Sequence, residues 1–334
     1  MATARGAGLA PPLTERILAR LPGARSTWVI LWGLLPILRL PILYGTLRLT
    51  GQAEGWEFFT ARMTQSVVFV YAVFLSLWAA RRFASDAQTL APSLGRLAVT
   101  ADAHSFHPFR AMGSIGGPLM LAGIATAVAV IDWGIRYGAA AAALASPLPF
   151  LVNLPLMTGF WGYLVLLAGL DRLGRERLAL DPFPEDRSLG LRPVGAVAFT
   201  AFRVFAAGFL PVLFLTATRR SDLVLDLALF GAGVVIFFLS LWRIHQQMLA
   251  AKRRYVEWAR GLYARAVEPV RSSGDPEVLR AQSSVMSAAE ALERRAEGIQ
   301  HWPFDESTVT RIAAITTGVV TAIITRVLLS RIGL

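Results

Sequence analysis

The 334-residue chain contains no cysteine. Disulfides, thiolate metal centres and cysteine nucleophiles are excluded with it. Charge is also scarce: 16% of residues are Asp, Glu, Lys or Arg, where a soluble domain has about 25%. That deficit excludes an ordinary soluble enzyme. Lysine is nearly absent, Lys252 being the only one, so arginine carries the net charge of +11. The four histidines, His104, His107, His245 and His301, all fall outside the long apolar runs. A Ser–His intramembrane protease would lack its base. A retinal pigment would lack its lysine within a span. There is no His-Glu-x-x-His helix, P-loop or Gly-x-Gly-x-x-Gly fingerprint. His104 and His107 have no carboxylate or thiolate company and read as loop histidines. We expect no catalytic residue, no metal and no cofactor, and so not an enzyme.

What the chain has in abundance is apolar length. Hydrophobic residues make up 55% and mean hydropathy is +0.53. A membrane span needs about 20 such residues. Seven candidates occur, at 28–47, 63–80, 111–131, 150–170, 194–215, 223–242 and 312–329. An alanine-rich stretch at 139–145, followed by Pro147 and Pro149, precedes the fourth. The predicted class is all-α, a polytopic membrane protein with seven transmembrane helices.

Arginine asymmetry predicts orientation. With the N-terminus inside, 24 Lys and Arg residues fall on the inner side and seven on the outer side or its span ends. The prediction is an N-terminus in the cytoplasm, a C-terminus outside and residence in the plasma membrane. The positive charge then faces the anionic inner leaflet, and no nucleic acid is expected. Trp28, Trp78, Trp242 and Trp302 fall near the inner boundary and Trp133 near the outer one, where tryptophan is enriched. Asp222 and Asp226 open the sixth span, where the helix dipole favours carboxylates.

Four regions follow: an N-terminal segment with a possible interfacial helix (1–26), six spans (27–242), a cytoplasmic helical segment (243–306) and the last span (307–334). The sixth span runs on past Trp242 with an apolar stripe at Met248, Tyr255, Ala259, Leu262 and Ala266. Pro269 and the residues 272–274 mark a turn. Asp275 and Pro276 then start a helix, as a cap and a first-turn proline. Its seam is Val278, Val285, Ala289, Leu292, Ala296 and Ile299. Asp305 or Ser307 caps the last span. The two amphipathic helices form a hairpin whose stripes pack on each other or on another subunit.

Ionisable residues inside spans are costly and usually functional. Arg39 lies mid-span between Pro36 and Pro41, which are expected to break the helix and free carbonyls. Arg203 lies in the inner half of the fifth span. Together they are candidates to line an anion path or hold an anionic ligand. The plainer reading has each guanidinium satisfied by backbone carbonyls or lipid phosphates. Asp132 and Arg136, four apart on one helix, read as an ordinary surface pair. Thr317, Thr321 and Thr325 repeat every four residues on one helix face. Such a hydroxyl stripe suits a narrow wet pore, or close packing of helices through small residues.

Seven spans with an inner N-terminus, and the largest cytoplasmic piece between the sixth and seventh, resemble the insect odorant and gustatory receptor type of seven-transmembrane ion channel. The resemblance lies in layout and carries no residue motif: where the gustatory type ends in Thr-Tyr followed by Gln-Phe, this chain reads Ala322-Ile323-Ile324-Thr325-Arg326. It implies a tetramer anchored by residues 243–300, a pore lined by the last span, and a ligand pocket in the outer half, here around Arg39 and Trp161. The expected partners are the bilayer, further copies of the chain and a small ligand or ion. A secondary transporter of an anionic solute using Arg39 and Arg203, and a non-catalytic sensor or assembly protein, are the alternatives.

Overall fold

Each apolar run folds as a helix, the form in which a segment satisfies its own backbone polar groups without water. The computed structural model describes residues 9–51, 57–97, 108–180, 187–216, 220–273 and 275–332. His104, His107 and Gly274 lie outside these. The helices are α1 (Leu13–Arg20), α2 (Arg25–Leu49), α3 (Glu57–Leu97), α4 (Gly116–Tyr137), α5 (Ala139–Ala145), α6 (Pro147–Arg175), α7 (Arg192–Thr216), α8 (Arg220–Ser273), α9 (Pro276–Glu297) and α10 (Glu306–Ile332). Among the described residues there is no β-strand.

Seven of them, α2, α3, α4, α6, α7, α8 and α10, are long and apolar enough to cross a membrane. Their outward faces remain apolar: Ile30, Leu38 and Ile42 on α2, Ile124, Val128, Ile131 and Ile135 on α4, and Leu225, Leu229, Val235 and Leu239 on α8 are all exposed. In water such faces would drive association; they fit a multi-pass membrane protein facing lipid.

α6 is the central helix. Over half of its apolar window is buried (56%), against 11% for α4. The main core joins α3, α6, α7 and α8 through Phe83, Leu166, Leu170, Phe202, Phe237 and Leu241. Small residues let these helices approach, as packing rather than water exclusion drives association in lipid. A Cβ on Gly159 would lie 2.9 Å from Ser76 Cβ, and one on Gly174 2.8 Å from Arg243 Cβ. Gln247 on α8 finishes the far end of α6, donating to the carbonyls of Gly174 (2.8 Å) and Glu176 (2.7 Å) and accepting from Leu178 N (3.1 Å).

The helices outrun the apolar stretches that define them. α3 extends over 41 residues and α8 over 54. α2 is unbroken, with Pro36 and Pro41 inside it, contrary to the expected break. Prolines cost a helix one donor and one paired carbonyl each, a loss transmembrane helices tolerate when neighbours pack around them. Pro269 likewise lies within α8, which stops only at Ser273. The Ser272 and Ser273 hydroxyls donate to the Pro269 carbonyl (3.1 and 2.8 Å), filling one acceptor left open at the helix end.

α9 folds back along α8 as a hairpin. Ala259 and Ala266 on α8 and Ala289 and Ala296 on α9 are buried, and Arg260 Nε meets Glu293 Oε1 at 2.6 Å. The stripes therefore pack on each other within one chain. Val285, expected in the seam, is 43% exposed; Met286, the next residue, is the half-buried one. Asp275 caps α9 by accepting from Glu277 N at 2.8 Å.

A collar at residues 298–305 ties the hairpin to the bundle. Lys252 Nζ donates to the carbonyls of Glu297 (2.5 Å) and Ile299 (3.0 Å). His245 donates from Nδ1 to the His301 carbonyl at 2.7 Å, and its ring stacks on Trp302 at 4.2 Å. Asp305 caps α10, accepting from Thr308 N at 2.7 Å and from the Ser307 hydroxyl at 3.1 Å.

The collar titrates in one direction. The hydrogen bonds from Thr308 hold the Asp305 carboxyl below its ordinary 3.8. Burial, then Lys252 and His245, hold the His301 imidazole below its ordinary 6.5. Both groups bind more protons when the collar is open, so its stability rises with pH. The His301 contribution is complete above 6.5 and is lost as pH falls through its lowered value. The Asp305 contribution is lost only below 3.8. Amides at 298–310 are expected to exchange faster at pH 5 than at pH 8 after correction for intrinsic rates. His301→Gln should remove the step below 6.5.

Candidate anion site

The end of the bundle opposite the hairpin holds a cavity of about 240 Å³ among α2, α3, α4 and α6. Its walls follow helical spacing. Arg62, Gln65, Ser66 and Phe69 line it from α3, and Ala129, Asp132, Trp133 and Arg136 from α4. Both sets are spaced i, i+3, i+4, i+7, one face of a helix each. Arg39, Leu40 and Leu43 come from α2, and Pro149, Val152 and Asn153 from α6. α5 packs beside this end: Ala141 and Ala145 cluster with Leu43 and Leu47 of α2. That helix is the alanine-rich stretch, and the proline after it starts α6 at Pro147.

Three guanidiniums and one carboxylate line the cavity, a net charge of +2 at neutral pH. Their situations differ. Arg136 is paired, its Nε donating to Asp132 Oδ1 at 2.9 Å. Arg62 donates to the Tyr137 hydroxyl and lies over the Trp133 and Tyr137 rings at 5.3 and 5.5 Å. Arg39 lies deeper, over the Phe69 ring at 5.5 Å. Its Nε is buried and has no hydrogen-bond partner among the described residues. Arginine keeps its charge in proteins, and a buried donor without a partner carries a desolvation cost of about 1–3 kcal/mol, more when charged. The unpartnered Nε and the net charge of +2 make the cavity a candidate site for an anion.

The other sequence candidates lie elsewhere. Arg203 is exposed on α7, over Phe199 at 5.5 Å and in electrostatic reach of Asp86 on α3. It is not among the residues that line the Arg39 cavity. Trp161 does not line it either. Its indole donates to the Ala111 carbonyl at 2.9 Å and fills the space beside Gly117, which makes it an anchor for the start of α4. Thr317, Thr321 and Thr325 are exposed along α10, whose buried face is Ile312, Val319 and Ile323.

Arg62, Gln65, Ser66 and Asn153 escaped the sequence reading, and Asp132 and Arg136 were given only a surface role. The available signal was polar residues recurring at i, i+3, i+4 near the ends of the second and third spans.

Comparison with protein-family models, with curated proteins and with solved structures finds no match for this chain. Fold and cavity together fit a helical multi-pass membrane protein with a cationic pocket inside its bundle.

Proposed function

We propose that the protein is a plasma-membrane transport protein that takes a small organic anion into the cavity around Arg39. The carrying observation is the buried Arg39 Nε, without a hydrogen-bond partner among the described residues, in a cavity of net charge +2. With the N-terminus inside, as the arginine asymmetry favours, the cavity opens toward the outer face and the hairpin hangs in the cytoplasm. Apolar walls from Leu40, Leu43, Phe69 and Val152 beside the guanidiniums favour an organic anion over a fully hydrated inorganic one. The test is a thermal-shift titration of the full chain in phosphatidylcholine nanodiscs with butyrate and with succinate, using butanol as the neutral control. A rise in melting temperature with either carboxylate, absent with butanol, supports the reading. No shift with either at millimolar concentration sinks it.

A second reading, a channel-like homotetramer, is favoured by α10. Its threonine face is turned away from the chain's own core, which suits a helix that lines a shared axis. Thr321→Trp in reconstituted bilayers is then expected to abolish conductance while assembly survives. Unchanged current would exclude α10 as a pore lining.

A further inference from the structure

The charged groups of the cavity are not equivalent. Arg136 and Asp132 pair at 2.9 Å near the end of α4, where both side chains are at least half exposed. Arg62 is engaged by the Tyr137 hydroxyl and by the Trp133 and Tyr137 rings. Among the described residues, the buried nitrogen of this cavity without a partner is the Arg39 Nε. The cavity therefore combines one deep anchor, suited to one carboxylate, with a mouth whose charges are already engaged.

Beside that anchor the α2 and α6 walls are apolar. Leu43 follows Arg39 by one turn on the same face of α2, about 6 Å along the axis. Leu40 accompanies it, and Pro149 and Val152 line the cavity from α6. Asn153, also on α6, is turned to Thr126, to whose hydroxyl it donates at 3.3 Å. The α3 wall is the polar one, with Ser66 and Gln65. A second carboxylate on the ligand would lie desolvated and unpaired against the apolar walls, or beside the like charge of Asp132. An aliphatic tail gains by burial in the same place. The volume of about 240 Å³ has room for about eight water-sized groups at about 30 Å³ each, the heavy-atom count of a six-carbon acid. A longer tail would meet the ion pair at the mouth. Building on the anion site proposed above, we infer that the cavity recognises a short-chain monocarboxylate of up to about six carbons, its carboxylate on Arg39 and its tail along Leu40, Leu43 and Val152.

The experiment is isothermal titration of the full chain in phosphatidylcholine nanodiscs with acetate, butyrate, hexanoate, octanoate, succinate and hexanol, with the heat of empty nanodiscs subtracted. Affinity is expected to rise about fourfold per methylene from acetate to hexanoate, the worth of a buried methylene, and to level off at octanoate. Succinate, matched to butyrate in carbon count, should bind at least about tenfold more weakly than butyrate. Arg39→Gln should weaken every monocarboxylate. Val152→Thr, which keeps the side-chain shape, should shrink the gain from acetate to hexanoate. Succinate binding as tightly as butyrate, a flat series from acetate to hexanoate, or an undiminished rise to octanoate overturns the monocarboxylate inference while the anion site stands. A Val152→Thr protein that keeps the full gain overturns it as well. Hexanol binding as tightly as hexanoate, or no binding by any of the acids, overturns the anion site itself.

Discussion

Arg39→Gln is expected to lower organic-anion affinity by about 30-fold to several thousand-fold, the range for truncating one partner of a buried hydrogen-bonded charge pair at about 2–5 kcal/mol. The same change is expected to leave the ligand-free protein as stable as before, or to raise its melting temperature. The reason is that Arg39 carries a buried Nε that no described residue satisfies, and glutamine removes the charge while keeping much of the length. Sites that hold unbalanced charge for a ligand trade stability for function in this way. The paired measurement is decisive. A purely structural arginine, satisfied within the fold, would give the reverse result: lower stability and unaltered binding. Calorimetric titration and a thermal melt on one nanodisc preparation separate the two.

Gly195→Val is expected to cost the most stability of any single exchange considered. Gly195 sits in the first turn of α7, and a Cβ there would overlap the carbonyl oxygen of Pro303. The obstruction is backbone, so no rotamer change relieves it. The collar that carries Pro303 has little freedom to retreat. Gln300 N is held by the Arg187 carbonyl at 2.9 Å, Lys252 grips the Glu297 and Ile299 carbonyls, and Phe304 stacks on Phe237 at 6.2 Å. Overpacking of this kind costs about 1–3 kcal/mol and more where the surroundings cannot shift. We expect a loss at the top of that range, read as a fall in melting temperature and in folded yield. Gly261→Ala is the contrasting case. A Cβ at Gly261 meets nothing among the described residues within 4 Å, and alanine is favoured over glycine in a helix interior by about 1 kcal/mol, so that variant should gain slightly. A Gly195→Val protein that melts with the unmodified one would show that the collar separates from α7 at no cost.

The seven long helices were legible from composition and run length, because a segment poor in charge and rich in aliphatic residues has few alternatives to a helix in lipid. The Asp275 cap was legible from its neighbouring proline, since a cap acts through residues two or three positions away; for the last span sequence left Asp305 and Ser307 as alternatives, and Asp305 is the acceptor from Thr308 N. The hairpin was legible as two amphipathic helices joined by a Ser-Ser-Gly turn. Sequence alone leaves open whether their stripes meet each other or another subunit; in the fold α9 lies along α8. Val285 misled because its seam position differs from that of Met286 by one residue, a rotation of about 100° around the helix.

The candidate site was legible only in part. Arg39 stands out because a charge amid apolar neighbours is visible along the chain. Its companions are ordinary where sequence places them: Arg62 and Arg136 near span ends, Asp132 four residues from an arginine, Gln65 and Asn153 as lone amides. What unites them is the packing of four antiparallel helices, which brings the end of one span beside the start of the next at a common level. Arg203, which sequence had paired with Arg39, is not in the lining of this cavity. Amino-acid order dictated which segments are helical and which ends are capped, because those choices rest on interactions within a few residues. The convergence of Arg39, Arg62, Asp132 and Arg136 came from helix crossings, whose angles and depths depend on side chains distant in sequence, such as Gly159 against Ser76 and Gly174 against Arg243.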